Sequence, residues 1–212
     1  MQDNRGLNAT PPQAQGMKRL AEKNRKDLIL DVAVELFSTQ GFNNVSTRDL
    51  ADRAGLSRSH LYHYFKDWPT LRRAAFVRFA DNQYEKSLGD MTGLSPRQAL
   101  ASFLRECLPN LSDRSDAIWW DAWDEAVRDP ELAAAFREIE TRWLGLLATI
   151  IQQGVDDGDF RCAMPARVAK QLFCMAVGYA DTLALADSAE ANHIAFDEMI
   201  DAAHCLVGFK AG

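Results

Sequence analysis

Between Arg58 and Lys66 the chain places Arg58, Ser59, His60, Tyr62, His63, Tyr64 and Lys66 with no carboxylate among them. Every polar side chain in that set can donate a hydrogen bond and none is an anion, which suits an acceptor-rich, negatively charged surface. Thr47 and Arg48 add a hydroxyl and a guanidinium a short distance upstream. A metal reading of His60 and His63 lacks partners, because no cysteine or carboxylate is spaced to complete a tetrahedral site. A catalytic reading fares no better: there is no G-x-S-x-G, no glycine-rich phosphate loop and no nucleophile–base pair beside an apolar run. No enzymatic activity, metal or cofactor is expected. Tyr62 and Tyr64 cannot share a helix face, so at least one must point away from a core.

A second concentration is aromatic. Trp119, Trp120, Trp123 and Trp143, with Phe103, Phe136, Phe173 and Tyr179, could wall a pocket for a small molecule or simply fill a core. Acids beside indoles raise the idea of a cage for a cation. At 100° per residue, however, Trp119, Ala122, Trp123, Ala126 and Val127 share one face, with Asp121, Glu125 and Arg128 opposite. Those acids are expected to face water. Asp181 differs, since a lone carboxylate in an apolar helix is costly to bury. It either lines the pocket or pairs with an arginine across a subunit interface.

The elements that carry these residues read as helices throughout, so the fold class is all-α. Leu28, Ile29, Val32, Ala33, Leu36 and Phe37 repeat at three and four, and Gly41 ends that helix. Ser46 with Asp49 starts a second, very short helix, Ala54-Gly55-Leu56 turns the chain, and Ser57 caps a third through Phe65. Two short helices around a glycine turn form a helix-turn-helix. Asp67 caps a helix to about Leu88, Ser95-Pro96 one to about Leu108, and Asp129-Pro130 one ending near Gly154. Pro165 to Ala186 and Ala195 to Phe209 are the last two. Residues 1–20 read as a polar, disordered tail. Within them and just beyond, Lys18, Arg19, Lys23, Arg25 and Lys26 form a basic run, either a polyanion-binding arm or a solvated helix start.

Charge divides along the chain. Of 24 Lys+Arg and 30 Asp+Glu, residues 1–80 hold 13 and 8, leaving 11 and 22 for the remainder. A basic head on an acidic body fits a protein whose head alone meets a polyanion. The 4 cysteines lie far apart without a C-x-x-C pair and are expected as reduced, packed thiols. No signal peptide and no membrane span is encoded, so the expected address is cytoplasmic.

Val45 to Leu71, VSTRDLADRAGLSRSHLYHYFKDWPTL, resembles the TetR family of one-component transcriptional regulators. The likeness rests on Ser46 to Ala51, the Ala54-Gly55-Leu56-Ser57 turn and Leu61-Tyr62-His63-Tyr64-Phe65-Lys66, preceded by Ala33, Leu36, Phe37 and Gly41-Phe42. It implies a helix-turn-helix DNA-binding domain over 21–68 and an effector-binding and dimerisation domain over 69–212. It further implies a homodimer paired through the last two helices, a double-stranded DNA operator that is near-palindromic, and repression relieved by a small-molecule effector.

On this reading Arg58, Ser59 and His60 face bases, and Tyr62, His63, Tyr64 and Lys66 meet the groove edge and phosphates, with Thr47 and Arg48 assisting. Trp119-Trp120-Asp121-Ala122-Trp123, with Asp129-Pro130 and Gly154 to Pro165, resembles the BetI-type subgroup of bodies. Phe103, Trp119, Trp120, Trp123, Trp143, Phe173 and Asp181 are then the candidate effector residues. Two departures stand out. Trp68-Pro69 occupies a place where lysine and glutamate are frequent, which makes Trp68 a packing residue at the hinge, and Ser59 replaces a frequent glycine. A DNA-binding regulator without an effector is the alternative reading.

Overall fold

The computed structural model describes residues 12–109, 117–185 and 188–209, with side chains from residue 23 onward. The described elements are helices: α1 (Pro12–Gln40), α2 (Thr47–Ala54), α3 (Arg58–Tyr64), α4 (Trp68–Met91), α5 (Pro96–Glu106), α6 (Ala117–Ala126), α7 (Pro130–Asp156), α8 (Pro165–Leu183) and α9 (Ala189–Val207). The fold is all-α, and an isolated antiparallel bridge joins Phe160 to Phe209.

The helix starts follow from caps. Ser46 accepts from the Asp49 N–H while the Asp49 carboxylate accepts from the Ser46 N–H at 2.9 Å, a reciprocal box that opens α2. Ser57 accepts from the His60 N–H at 3.2 Å, and Asp67 accepts from Thr70 at 2.8 Å. Ser95 with Gln98, and Asp129, perform the same service for α5 and α7. Gly41 and Gly55 sit at φ of 91° and 64°, the left-handed region that ends α1 and α2 without a Cβ clash.

Three boundaries differ from expectation. Residues 12–20, expected in a disordered tail, are the first turns of α1. Proline is tolerated in a first turn, and Ala14, Met17, Leu20 and Ala21 favour helix over coil. The last helix begins at Ala189 rather than Ala195, because the Ser188 hydroxyl accepts from the Ala191 N–H at 3.2 Å. α8 closes at Leu183. The cysteines also divide: Cys162 is buried, Cys107 partly so, while Cys174 and Cys205 are exposed rather than packed. Among the described residues no helix is long and apolar enough to cross a membrane.

Two clusters form the core. One gathers Ile29, Phe37, Leu50, Leu61, Phe65 and Phe76 of the first four helices together with Ile118 and Ala122 of α6 and Leu132 and Ile139 of α7. The other joins Leu100, Phe103 and Leu104 of α5 to Leu147, Ile151, Leu172, Met199 and Val207 of α7 to α9. Trp143 packs against both. The interior of the helix-turn-helix is therefore continuous with α4, α6 and the first half of α7.

Candidate nucleic-acid interface and ligand cavity

Leu61 and Phe65, four apart, anchor α3 in the first cluster at 1% and 3% exposure. That registration turns Arg58, Ser59, His60, Tyr62, His63 and Lys66 outward, all exposed. Tyr64 is half-buried and packs on the same core, so the two tyrosines part as their spacing required. Its ring stacks on His60 (centroids 5.8 Å apart, 25° between planes) and meets His63 edge-on at 5.1 Å. Three rings thus support one another on a helix of 7 residues. The Ser59 and Ser57 hydroxyls lie 2.9 Å apart, tying the first turn of α3 to its cap.

In α2, Thr47 is half-buried and Arg48 exposed, with Asp52 at 3.6 Å from its guanidinium. An exposed i,i+4 pair of this kind is worth little and leaves Arg48 able to change partners. Trp68 meets Phe37 edge-on at 6.3 Å and packs on the first core cluster at the start of α4, a packing role at the hinge.

Arg53 of α2 and the arginines of α4 are engaged internally. Arg53 pairs with Glu35, and Arg78 donates to Asp31 at 2.9 Å, bonding that raises its already high pKa. Arg72 reaches from α4 to α6, donating to Glu125 at 2.9 Å and to Asn43 at 2.7 Å, with its guanidinium 4.2 Å from the centre of the Phe42 ring. Burial pushes the Arg72 pKa down, and the Glu125 carboxylate opposes that shift. Its Nε is buried without an acceptor.

Beside it the Asp121 carboxylate accepts from the Phe42 N–H at 3.0 Å, and Arg73 pairs with Asp129 and Glu131. The expectation that Asp121 and Glu125 face water is therefore corrected. The face of α6 opposite its tryptophans meets the head, and its acids satisfy an arginine and a backbone N–H there. Their partners lie 53 and 79 residues away in sequence, beyond the reach of helical periodicity.

The opposite face of α6 borders a cavity of about 460 Å³. Trp119, Trp120, Trp123, Trp143, Phe173 and Asp181 line it, and so does Phe136. Phe103 does not: at 1% exposure it is a core residue, placed edge-on to Trp143 at 5.9 Å. Phe103 follows Ala99 and Leu100 on the apolar stripe of α5, which faces α7. Tyr179 is likewise absent from the wall, its hydroxyl bound to Glu198, which pushes its pKa up.

Asp181 is corrected in its surroundings. It is exposed, and its carboxylate accepts from the Trp120 indole N–H at 3.2 Å, so it bridges α8 to α6. The cost attached to a buried lone carboxylate does not arise. Trp123, at 60% exposure, stands at the cavity's open side with Val127 at 66%.

Residues that sequence reasoning missed include Leu108, Pro109, Ile139, Glu140, Val177 and Ala180. Helical spacing held a usable signal: Phe136, Glu140 and Trp143 on α7, and Phe173, Val177 and Ala180 on α8, recur at three and four and place one stripe of each helix against the space. Cys107 also lines it, its thiol pushed up to about 12 by burial and by the neighbouring Glu106, a neutral and unreactive group. Among the described residues no group of His, Cys, Asp and Glu could hold a metal.

A helix-turn-helix whose second helix projects polar rings and an exposed arginine, joined to a larger helical body with an aromatic cavity, is the plan of a DNA-binding regulator. Residues 29–74 match the bacterial regulatory proteins of the tetR family, and residues 96–203 match the C-terminal domain of BetI-type transcriptional repressors. The chain belongs to the TetR family, with a BetI-type body, and the family is one of DNA-binding transcriptional regulators.

Among relatives, the HTH-type transcriptional repressor KstR2 of Rhodococcus jostii is 28% identical over 169 residues, 76% of this chain and 78% of that one. Among solved structures, a transcriptional regulator from Saccharomonospora viridis in complex with choline superposes with a TM-score of 0.71 at 19% identity, covering 84% of this chain and 95% of that one. FadR from Bacillus subtilis, in complex with stearoyl-CoA, superposes with a TM-score of 0.65 at 18% identity, covering 86% and 98%.

Proposed function

We propose that the protein is a ligand-responsive repressor that holds a near-palindromic operator as a homodimer and releases it when a small molecule enters the aromatic cavity. The observation that carries this reading is the placement of α6. One face supplies Trp119, Trp120 and Trp123 to the cavity, and the other binds Phe42 and Arg72 of the head through Asp121 and Glu125. A ligand that displaces the indoles displaces the groups that hold the head.

On the operator, Arg58 donates to base edges in the major groove with Ser59 and His60 beside it. Tyr62, His63, Tyr64, Lys66, Thr47 and Arg48 meet groove edge and phosphate. The exposed apolar residues of α9, Ile194 at 50% and Leu206 at 38%, support pairing of two copies through the last two helices. Two heads then stand one DNA turn apart, about 34 to 36 Å.

Swinging an operator from nearly full to nearly empty needs about 5.5 kcal/mol of differential affinity. A single surface ion pair, at roughly 0 to 1 kcal/mol, cannot transmit that. A partly buried set comprising Arg72, Glu125, Asp121 and the Arg73 pairs can. The choline and stearoyl-CoA held by two structural neighbours support a body built to take small organic ligands.

The test is a selection of bound sequences from random duplexes, followed by tryptophan fluorescence of the protein–operator complex against a metabolite library. A recovered palindrome, and a compound that both alters fluorescence and frees the DNA, are expected. Sequence-indifferent binding, or a compound that fills the cavity and leaves operator affinity unchanged, overturns the reading.

A further inference from the structure

The basic run before Ile29 is absorbed neither by the reading helix nor by the cavity, and its place on α1 gives it a role. From Ile29 the buried residues of α1 are Ile29, Leu30, Ala33, Leu36 and Phe37. At 100° per residue they fall in an arc of about 120°. Counted back along the same helix, Lys23, Arg25 and Lys26 fall in an arc of about 160° that contains the first. One continuous face of α1 is apolar where the head covers it and cationic where it runs on. The first cation of α1 is Lys18, so the cationic residues begin about 17 Å ahead of Ile29, at 1.5 Å per residue.

The side towards which the face runs on is set by Lys26, whose ammonium sits 5.1 Å from the centre of the Phe65 ring. Phe65 is the C-cap of α3. Lys26 thus sets this face beside the end of α3. Lys23 and Arg25 are exposed and in no ion pair among the described residues, whereas Arg53 and Arg78 nearby are neutralised within the head. Glu22 is the only acid between Lys18 and Lys26.

We infer that the Lys18–Lys26 stretch of α1 is a second DNA-binding element, gripping the phosphate backbone beside the bases that α3 reads and carrying no sequence preference. The chemistry is charge alone. The stretch spans about 12 Å of helix axis, and a duplex presents one phosphate per roughly 1.7 Å of its own axis, so each cation has an anion within reach. The body, with its surplus of acids, offers the duplex no comparable surface. The inference rests on the DNA-binding reading of the head.

The test uses the full chain with Lys18→Gln, Arg19→Gln, Lys23→Gln and Arg25→Gln combined, leaving Lys26 on Phe65. The probe is a labelled mixed-sequence duplex three helical turns long, titrated at several salt concentrations, with thermal unfolding measured in parallel. Each lost phosphate contact flattens the log K against log salt slope by about 0.9, and a loss of about two or more contacts per head is expected, with unfolding unchanged. Lys170→Gln on the exposed side of α8 is expected to leave the slope as it was. An unchanged slope in the combined variant, with Lys66→Gln still flattening it, overturns the arm and leaves the head intact. Failure of the unaltered protein to bind any duplex overturns the head reading, and the arm with it.

Discussion

α3 and α6 are both short, 7 and 10 residues, and both carry aromatic side chains, yet they are built on opposite plans. α3 is held on one side by Leu61 and Phe65 and gives the rest of its surface to solvent. α6 is held on two sides: Ile118, Ala122 and Ala126 enter the core, the acids clasp the head, and the indoles border the cavity. A helix that reads an external partner needs one anchoring face. A helix proposed to transmit between two parts of a molecule has to be engaged by both: Asp121 and Glu125 of α6 belong to such an engagement, while Asp124 stays at the surface beside Arg128.

The largest expected effect separates the tryptophans of the cavity. Trp143 packs against both core clusters and touches the Tyr84 and Phe103 rings at 5.3 and 5.9 Å. Trp143→Ala is expected to cost about 3 kcal/mol, and with it roughly 6 to 12 °C of melting temperature. Trp123→Ala, at the open side, should stay within about 0.5 kcal/mol while abolishing any ligand-dependent fluorescence change that Trp123 reports. Equal losses in thermal unfolding would show that the cavity wall is uniform rather than half core and half recognition surface.

Next comes the clasp. Glu125→Ala leaves a partly buried guanidinium with only Asn43 and the Phe42 carbonyl, for an expected cost of about 2 kcal/mol by urea unfolding. Arg72→Met strands the Glu125 carboxylate for a similar cost. The double variant should lose at least about 1 kcal/mol less than the two single losses added together, because neither stranded charge remains. Strict additivity would mean that α6 and the head are adjacent without being coupled, and the contrast with α3 would lose its basis.

Arg58→Ala tests the other helix. Since Arg58 is exposed and forms no ion pair among the described residues, its loss should leave unfolding almost unchanged. It should relax discrimination at one base position by about 1 to 3 kcal/mol in a selection of bound sequences. A variant that retains its full sequence preference would move base recognition off the first turn of α3.

The same contrast explains how far the amino-acid sequence could be read. The caps Ser46, Ser57, Asp67, Ser95 and Asp129 were legible because each acts on a backbone N–H two or three residues ahead. The outward set on α3 was legible for a related reason, as Leu61 and Phe65 alone orient it. Six of the seven proposed cavity residues line the space, because a run of large aromatics has few other places to go; Phe103 had one, the seam between α5 and α7. Asp121 and Glu125 were read as solvated, since periodicity shows that two faces differ and is silent about what lies against each. Asp181 was read as lone because its partner, the Trp120 indole, lies 61 residues away.

The smallest expected effect concerns the acidic groups that fix the starts of α2 and α4. The Asp49 and Asp67 carboxyls are held below the usual value of 3.8, chiefly by side-chain hydrogen bonding to Ser46 and to Thr70 respectively. A carboxyl depressed in the folded chain binds its proton more readily when unfolded, so its contribution is complete above pH 3.8 and fades as pH falls through the lower folded value. Between pH 5 and 8 neither cap should contribute any slope to stability. Asp67→Asn preserves an acceptor for the Thr70 N–H but removes the titration, so its stability should approach that of the unaltered chain as the medium is acidified below pH 4. Two unfolding curves that stay parallel down to acid pH would show that the carboxylate charge at the start of α4 contributes nothing, and that the hinge is held by Trp68 packing alone.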